Sequence, residues 1–330
     1  MNKIRVIYLG YDIETVYLIN SNPQFELIGV ACIQELLTTR GNIFNYIFCY
    51  AYNLKIRERH FSLQIFLTYC LVVISPLLSQ FNRRYIMYLK YLIRNHIPIL
   101  CDDKSIVGHK SDIIIVNNWW KISNTLLNSP KYGCVNIHPS CLPKYRGSLP
   151  TLWSLKNKDN FSAVSFFLLD NKIDSGKILT QHQFNINLKD NALNIEVKIE
   201  QIVNDYLLND ILRYIKGEIL PYEQGSIGVS YTAKYYEYML IDFKTEMCAD
   251  VLNKVMLYPY LNPIDLCYFY FKGHKIQVRN CKKYNMYLEP GAFLVKNGYI
   301  YAGCNNGSCV AFKLFKDINV RQSLCIISNK

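Results

Sequence analysis

Acidic residues are in short supply in this 330-residue chain: 25 Asp and Glu stand against 37 Lys and Arg, for a formal net charge of +12. Charge of either sign is nonetheless modest at 19% of residues, against 51% hydrophobic, so the charge-rich, aromatic-poor composition that keeps a chain unfolded is missing. Repeats and low-complexity tracts are missing too, and a packed globular protein is expected. The cation excess suits an anionic partner such as a nucleotide, tRNA or acidic lipid, because positive potential concentrates anions near the surface. Enrichment in Lys, Asn, Ile and Tyr along the whole chain accounts for the same excess without any binding patch. The 12 cysteines contain no CxxC pair and no disulfide framework spacing, and no secretory signal precedes them. The closest pair, Cys304 and Cys309, lacks a second pair or a His cluster at zinc spacing. Free thiols, a cytoplasmic location and no metal site are therefore expected. Long apolar runs are also absent. The most hydrophobic stretch, Ile65 to Ile74, is bracketed by Gln64 and Pro76 and is too short to span a bilayer. A buried or partner-facing helix is the preferred reading there. Peripheral membrane contact, without stable insertion, is the alternative.

The length favours two domains, each able to bury its own core. Ile4 to Gly10 is an apolar run ending in glycine, followed by a segment with helical spacing and a second apolar run at Phe25 to Ala31. Strand, helix, strand at the outset predicts a parallel α/β sheet. Further strands are expected at Ile97 to Cys101, Asp112 to Asn117 and Cys134 to His138, with an antiparallel pair at Ser162 to Asp170 and Lys177 to Asn185. Residues 42–95 read as an apolar helical insert. Asn191 to Gly217 has the spacing of a long amphipathic helix, with Gly217 as its C-terminal stop. A linker is expected next. Beyond it, short strands and turn signals at Lys272-Gly273, Pro290-Gly291, Asn297-Gly298 and Asn306-Gly307 predict a small β domain. The expected division is 1–217, a Rossmann-like α/β domain, and 218–330, a C-terminal β-barrel-like (OB-like) domain.

The segment most informative about chemistry is VNIHPSCLPKYRG, Val135 to Gly147. Asn136 and His138 are two apart at a strand end, which sends both side chains to one face. Pro139 stops the ladder there, at the carboxyl edge where open α/β sheets place their ligands. Pro143 and Gly147 then enforce a loop carrying Lys144, Tyr145 and Arg146. Taken singly, a His is more often structural than catalytic, and an Asn at a strand end is usually a turn former. Downstream, Asn171-Lys172-Ile173-Asp174-Ser175-Gly176 supplies a carboxylate in a tight turn between two strand-like runs.

Together these segments resemble the folate-dependent formyltransferase family, whose hallmark is Asn-x-His-Pro-Ser-x-Leu-Pro-x-Tyr-Arg-Gly followed by an Asp-x-Gly turn. Asn136, His138, Pro139, Ser140, Leu142, Pro143, Tyr145, Arg146 and Gly147 stand in the first pattern, and Asp174 and Gly176 in the second. The likeness continues into Gln181 and into Ile241-Asp242-Phe243, and leaves out 42–95. It implies 10-formyltetrahydrofolate as formyl donor, with no metal. The pterin slot would then lie along Asn118, Trp119, Trp120, Lys121 and Ile122 and the loop before Asp174 that carries Ile173. Family members often have a small residue where this chain has Asn118-Trp119-Trp120. Core packing accounts equally well for one of the two tryptophans.

Formyl transfer to an amine passes through a tetrahedral intermediate, which needs a donor aimed at the developing oxyanion and a base for the amine proton. Asn136 can supply the donor. Imidazole titrates near neutrality, so His138 suits the base. Asp174 can orient the ring and offset the charge it acquires. No covalent intermediate is required, leaving Ser140 a positioning residue with Lys144, Tyr145, Arg146 and Gly147. Three acceptors are open. A nucleotide-linked amino sugar comes first. Methionyl-tRNA is second, with Lys272, His274, Lys275, Arg279, Lys282 and Lys283 available to phosphates. Glycinamide ribonucleotide is third. A formyltetrahydrofolate hydrolase and a membrane-associated or nucleic-acid-binding protein that keeps the scaffold without using it are the remaining readings.

Overall fold

The computed structural model describes residues 2–10, 12–31, 83–100, 102–117, 122–187, 190, 192–225, 230–231, 239–261, 267–314 and 317–318. Ile65 to Ile74 and most of the 42–95 insert lie outside these residues, as do Asn118, Trp119, Trp120 and Lys121. In chain order the strands are β1 (Ile4–Leu9), β2 (Phe25–Ala31), β3 (Ile113–Val116), β4 (Cys134–His138), the two-residue β5 (Arg146–Gly147), β6 (Phe161–Leu168), β7 (Ile178–Asn185) and the two-residue β8 (Ser230–Tyr231). They continue with β9 (Tyr268–Phe271), β10 (His274–Gln277), β11 (Lys282–Tyr284), β12 (Phe293–Lys296), β13 (Tyr299–Gly303) and β14 (Cys309–Lys313). The helices are α1 (Ile13–Ser21), α2 (Arg83–Arg94), α3 (Asp103–Gly108), α4 (Asn124–Leu127), α5 (Pro150–Lys156), α6 (Ala192–Ile215) and α7 (Cys248–Leu261). Two compact units divide the chain: Met1–Arg146, Ala163–Gln183 and Ile199–Val229 form one, and Gly147–Ser162, Phe184–Lys198 and Ser230–Lys330 the other.

The first unit is built on a sheet of order β2-β1-β3-β4-β6-β7. β1 pairs in parallel with β2 and β3, and β3 with β4, while β6 runs antiparallel to β4. The apolar runs explain the centre of this sheet: Ile7, Leu9, Ile114 and Val116 recur with period two and pack with Leu100, Ile106 and Leu126 in one buried cluster. Burying each such side chain contributes roughly 1.5–3 kcal/mol. α1 begins where Asp12 caps it, accepting from the backbone N–H groups of Glu14 and Thr15. The strand expected at Ile97 to Cys101 is reduced to one parallel bridge between Ile99 and Val30. Pro98 explains this, because it offers a carbonyl to the Val30 N–H and has no N–H of its own to extend a ladder. α6 buries most of the stripe expected from spacing, with Ile195, Ile199, Ile202, Leu207 and Ile211 inside and Ile215 half-buried at its end. After Gly217, whose φ of 77° ends the helix, residues from Pro221 lie beside β7, where Tyr222 and Ile178 exchange backbone hydrogen bonds of 3.0 and 2.9 Å.

The second unit contains an antiparallel sheet of order β11-β14-β13-β12 and the hairpin β9-β10. Lys272-Gly273 and Asn297-Gly298 close two of its hairpins with positive φ at both central positions. That conformation matches the right-handed twist of paired strands and favours Asn and Gly. Phe243, Phe269, Phe293 and Phe312 pack at centroid distances of 5.3–6.2 Å around a core that also holds Val251, Val255 and Ile300. The seven described cysteines are free thiols, five of them in this unit. Among the described residues no helix is long and apolar enough to cross a membrane.

Candidate active site

β4 carries Asn136 and His138, and the register against β6 sets Asn136 opposite Phe167 and His138 opposite Ser165. Both polar side chains are buried, at 7% and 5% exposure. A buried His must satisfy its ring nitrogens. Nε2 lies 2.9 Å from the Tyr145 carbonyl oxygen, and Nδ1 lies 3.7 Å from Asp174 Oδ2. A carbonyl can only accept, so Nε2 carries the proton in that contact. The ring face is flanked edge-on by Phe167, 6.3 Å between centroids. In the neutral ring Nδ1 therefore holds the lone pair, and it faces the carboxylate.

Asn136 shows the opposite balance. Its Oδ1 is buried with no hydrogen-bond partner. An orphaned amide oxygen inside a protein is destabilising by about 1–3 kcal/mol, and such a group calls for a ligand or a water. This atom is the feature that best fits a bound substrate carrying an N–H.

The chain between these residues and Asp174 is folded on itself by side chains that grip backbone. Ser140 is fully buried and donates its Oγ–H to the Lys144 carbonyl at 2.6 Å, so its hydroxyl is committed to the loop and is not poised as a nucleophile. Ser165 Oγ–H donates to the Ser140 carbonyl at 2.5 Å, and Gln181 Nε2 donates to the Leu142 carbonyl at 2.8 Å and to Ser165 Oγ at 2.9 Å. The Leu142-Pro143 peptide is cis. Tyr145 has φ 61° and is buried, while Lys144 Nζ stands 4.8 Å above its ring. The Tyr145 group that meets His138 is its backbone carbonyl. Burial also raises the Cys141 thiol above its ordinary pKa, with Lys144 opposing the rise.

Asp174 occupies a turn at φ 46°. The turn is pressed onto β6 so closely that a Cβ on Gly176 would sit 1.8 Å from the Leu168 carbonyl oxygen, which is why only glycine fits two residues after the carboxylate. Gln224 joins this turn to the loop: its Nε2 donates to the carbonyls of Asp174 and Gly176, and its Oε1 accepts from Arg146 Nε and Nη2.

The structure brings together His138, Asp174, the Tyr145 carbonyl and, through Gln224, Arg146. Ile122 is half-buried against the sheet core, and Ile173 is 58% exposed. Gly147 has φ 94°, a conformation open to glycine. Ser165 and Gln224 escaped the sequence reading. Ser165 was within reach, because strand register places it opposite His138. Gln224 is 78 residues from Arg146 and carries no local signal. Among the described residues no group of three or more His, Cys, Asp or Glu could hold a metal ion.

Residues 103–210 match the formyl transferase family model. The methionyl-tRNA formyltransferase of Wolbachia sp. subsp. Drosophila simulans is 35% identical over 147 residues, 44% of this chain and 48% of that protein. The chain spans about half the length of the curated relatives it matches first. Among solved structures, a HypX variant from Aquifex aeolicus superposes with a TM-score of 0.59 at 14% identity, covering 94% of this chain and 44% of the other. An N-formyltransferase from Helicobacter canadensis, solved with folinic acid and dTDP-3-aminofucose, gives a TM-score of 0.55 at 16% identity over 94% of this chain and 98% of the other. At these identities the two structures speak for the fold alone.

Proposed function

We propose that this chain, a relative of the folate-dependent formyltransferases with a formyl transferase domain at 103–210, moves a formyl group from 10-formyltetrahydrofolate to an amine. The observation that carries the reading is His138, with Nε2 tied to the Tyr145 carbonyl and Nδ1 turned to Asp174. A ring held in this way is a base with one working nitrogen. Nδ1 takes the amine proton as nitrogen bonds to the formyl carbon, and the Asp174 carboxylate offsets the charge the ring then bears. As the tetrahedral intermediate collapses, the formyl carbon's bond to the folate nitrogen breaks and that nitrogen, leaving with the electron pair, takes the proton back from Nδ1. The Asn136 carboxamide lies two residues away on the same strand face. Its orphaned Oδ1 meets the amine N–H, and in this reading its Nδ2 donates to the negative charge that grows on the formyl oxygen. The donor supplies an activated formyl carbon. Ile122, Ile173 and the segment Asn118, Trp119, Trp120 and Lys121 are the residues we assign to its pterin. Ser140, Lys144, Tyr145, Arg146 and Gly147 shape the acceptor side.

In this reading 1–217 carries the chemistry, braced by Gln224 just beyond it, and the β-rich remainder of 218–330 recognises the acceptor. The relatives' names favour methionyl-tRNA, which the sequence alone ranks behind a nucleotide-linked amino sugar. The exposed cations Lys272, His274, Lys275, Arg279, Lys282 and Lys283 add support, since an array on one small β unit suits a phosphate backbone. The sugar remains the second reading, favoured by the dTDP-3-aminofucose bound to the Helicobacter canadensis enzyme, which shares this fold. The test is to incubate the protein with 10-formyltetrahydrofolate and either methionine-charged initiator tRNA or a panel of nucleotide amino sugars, and to measure the mass of each product. A gain of one formyl group on the methionyl-tRNA alone is expected. A gain on a sugar alone reverses the order of acceptors, and deformylation with neither acceptor changed overturns the transferase reading in favour of a hydrolase.

A further inference from the structure

We infer that Gln224 is a positioning residue that fixes the Arg146 guanidinium and the Asp174 turn in one geometry. A single carboxamide offers one oxygen with two lone pairs and one NH2 with two hydrogens. All four are used here: Oε1 accepts from Arg146 Nε at 2.9 Å and Nη2 at 2.7 Å, while Nε2 donates to the Asp174 carbonyl at 2.9 Å and the Gly176 carbonyl at 2.8 Å. The partners also fix which end is which. Reversing the amide would set its NH2 against two guanidinium donors and its oxygen against two carbonyl oxygens, so only the observed orientation is satisfied.

Gln224 is itself held firmly. Tyr222, two residues before it, exchanges two backbone hydrogen bonds with Ile178, at the start of the strand that follows the Asp174 turn. The turn has little room to drift in the other direction, because Gly176 already abuts the Leu168 carbonyl. Remove Gln224, and two backbone carbonyls beside Asp174 and the fork of Arg146 lose their partner together. The carboxylate that faces His138 Nδ1 and a cation suited to an acceptor phosphate or carboxylate are therefore set by the same side chain.

No other residue type reproduces this. Glutamate keeps the size and the two acceptor contacts to Arg146, yet it has no hydrogen to give and would point an anionic oxygen at the two carbonyls. Methionine keeps the length and loses both sides. The pair Gln224→Glu and Gln224→Met therefore separates the two halves of the clamp. The kinetic part of this inference rests on the formyl-transfer reading, and the structural part stands without it.

The experiment compares both variants with the wild-type full chain by thermal melting, by hydrogen exchange over 172–177, by the 15N signal of the Arg146 Nε–H group, and by formyl transfer to the acceptor that the wild type uses. Faster exchange over 172–177 is expected in both variants, with the Arg146 signal kept in Gln224→Glu and lost in Gln224→Met. Turnover falls in both by roughly 100-fold, the scale of a small misplacement of a catalytic partner. The acceptor KM rises roughly tenfold in Gln224→Met only, the scale of a lost hydrogen bond to a charged group. Unchanged exchange over 172–177 in a folded variant overturns the proposal, and so does an equal change of KM and kcat in both. If Gln224→Met does not fold, the near-isosteric Gln224→Glu still decides the Asp174 half. A wild type that transfers no formyl group defeats the functional reading, while exchange and the Arg146 signal still judge Gln224.

Discussion

Between His138 and Gly176 the first unit is held by side chains that grip backbone: Ser140 on the Lys144 carbonyl, Ser165 on that of Ser140, Gln181 on that of Leu142, and Gln224 on those of Asp174 and Gly176. In the second unit the corresponding work is done by Phe243, Phe269, Phe293 and Phe312, whose rings meet edge to face or offset around Val251 and Ile300. Apolar packing supplies most of the free energy of folding and has little directionality. Hydrogen bonds contribute about 1 kcal/mol each, but they fix angles and leave buried groups stranded when a partner is removed. The proposed function asks the first unit to aim a nitrogen at a reacting atom, which needs the second kind of restraint, and the second unit to present a surface, for which the first kind suffices.

The widest separation of the two should come from His138→Ala. Turnover is expected to fall by about 10²–10⁴-fold, the usual contribution of a positioned acid or base, against a stability loss of only about 1–3 kcal/mol from the stranded Tyr145 carbonyl. Retained activity would remove His138 from the chemistry. Phe312→Ala is the mirror experiment. It should cost about 3–5 kcal/mol in denaturant titration. Exchange over 239–318 should rise while exchange over 139–145 stays as it was, and a spread of the effect into that loop would show that the two regions do not differ in the way described. Gly176→Ala tests both restraints at once, because the new methyl meets the Leu168 carbonyl. A loss of roughly 1–3 kcal/mol of stability is expected from overpacking, together with a fall in turnover. A fully stable and active variant would mean that the turn has room to move. Ser140→Ala should do least, a destabilisation of about 1 kcal/mol from one lost hydrogen bond. Turnover should stay within an order of magnitude of wild type, whereas complete inactivation would restore Ser140 to the reaction itself.

Much of the candidate site is legible in the sequence because its determinants are local. Pro139 ends β4, period two pairs Asn136 with His138, and Asp174-Ser175-Gly176 sits in a short turn between β6 and β7. The same holds for the alternating apolar strands and for the Asn297-Gly298 hairpin. What escaped is non-local. Gln224 acts across 78 residues on Arg146 and 50 on Asp174, distances at which a lone glutamine has no pattern to betray it. The Tyr145 carbonyl escaped for another reason: backbone groups are common to all residues, and no side-chain pattern marks the one that meets the imidazole. Ile97 to Cys101 had the composition of a strand, and one missing N–H at Pro98 limited it to a single bridge.

The carbonyl of Tyr145 has a consequence for how protons travel. Since that oxygen can only accept, the imidazole nitrogen bonded to it carries the hydrogen for as long as the contact is kept. The ring is then a terminus rather than a conduit: what enters at Nδ1 must depart from Nδ1. Under the proposed transfer, the incoming amine and the outgoing leaving group would have to visit the same edge of the ring one after the other, with no proton draining through it into the loop behind.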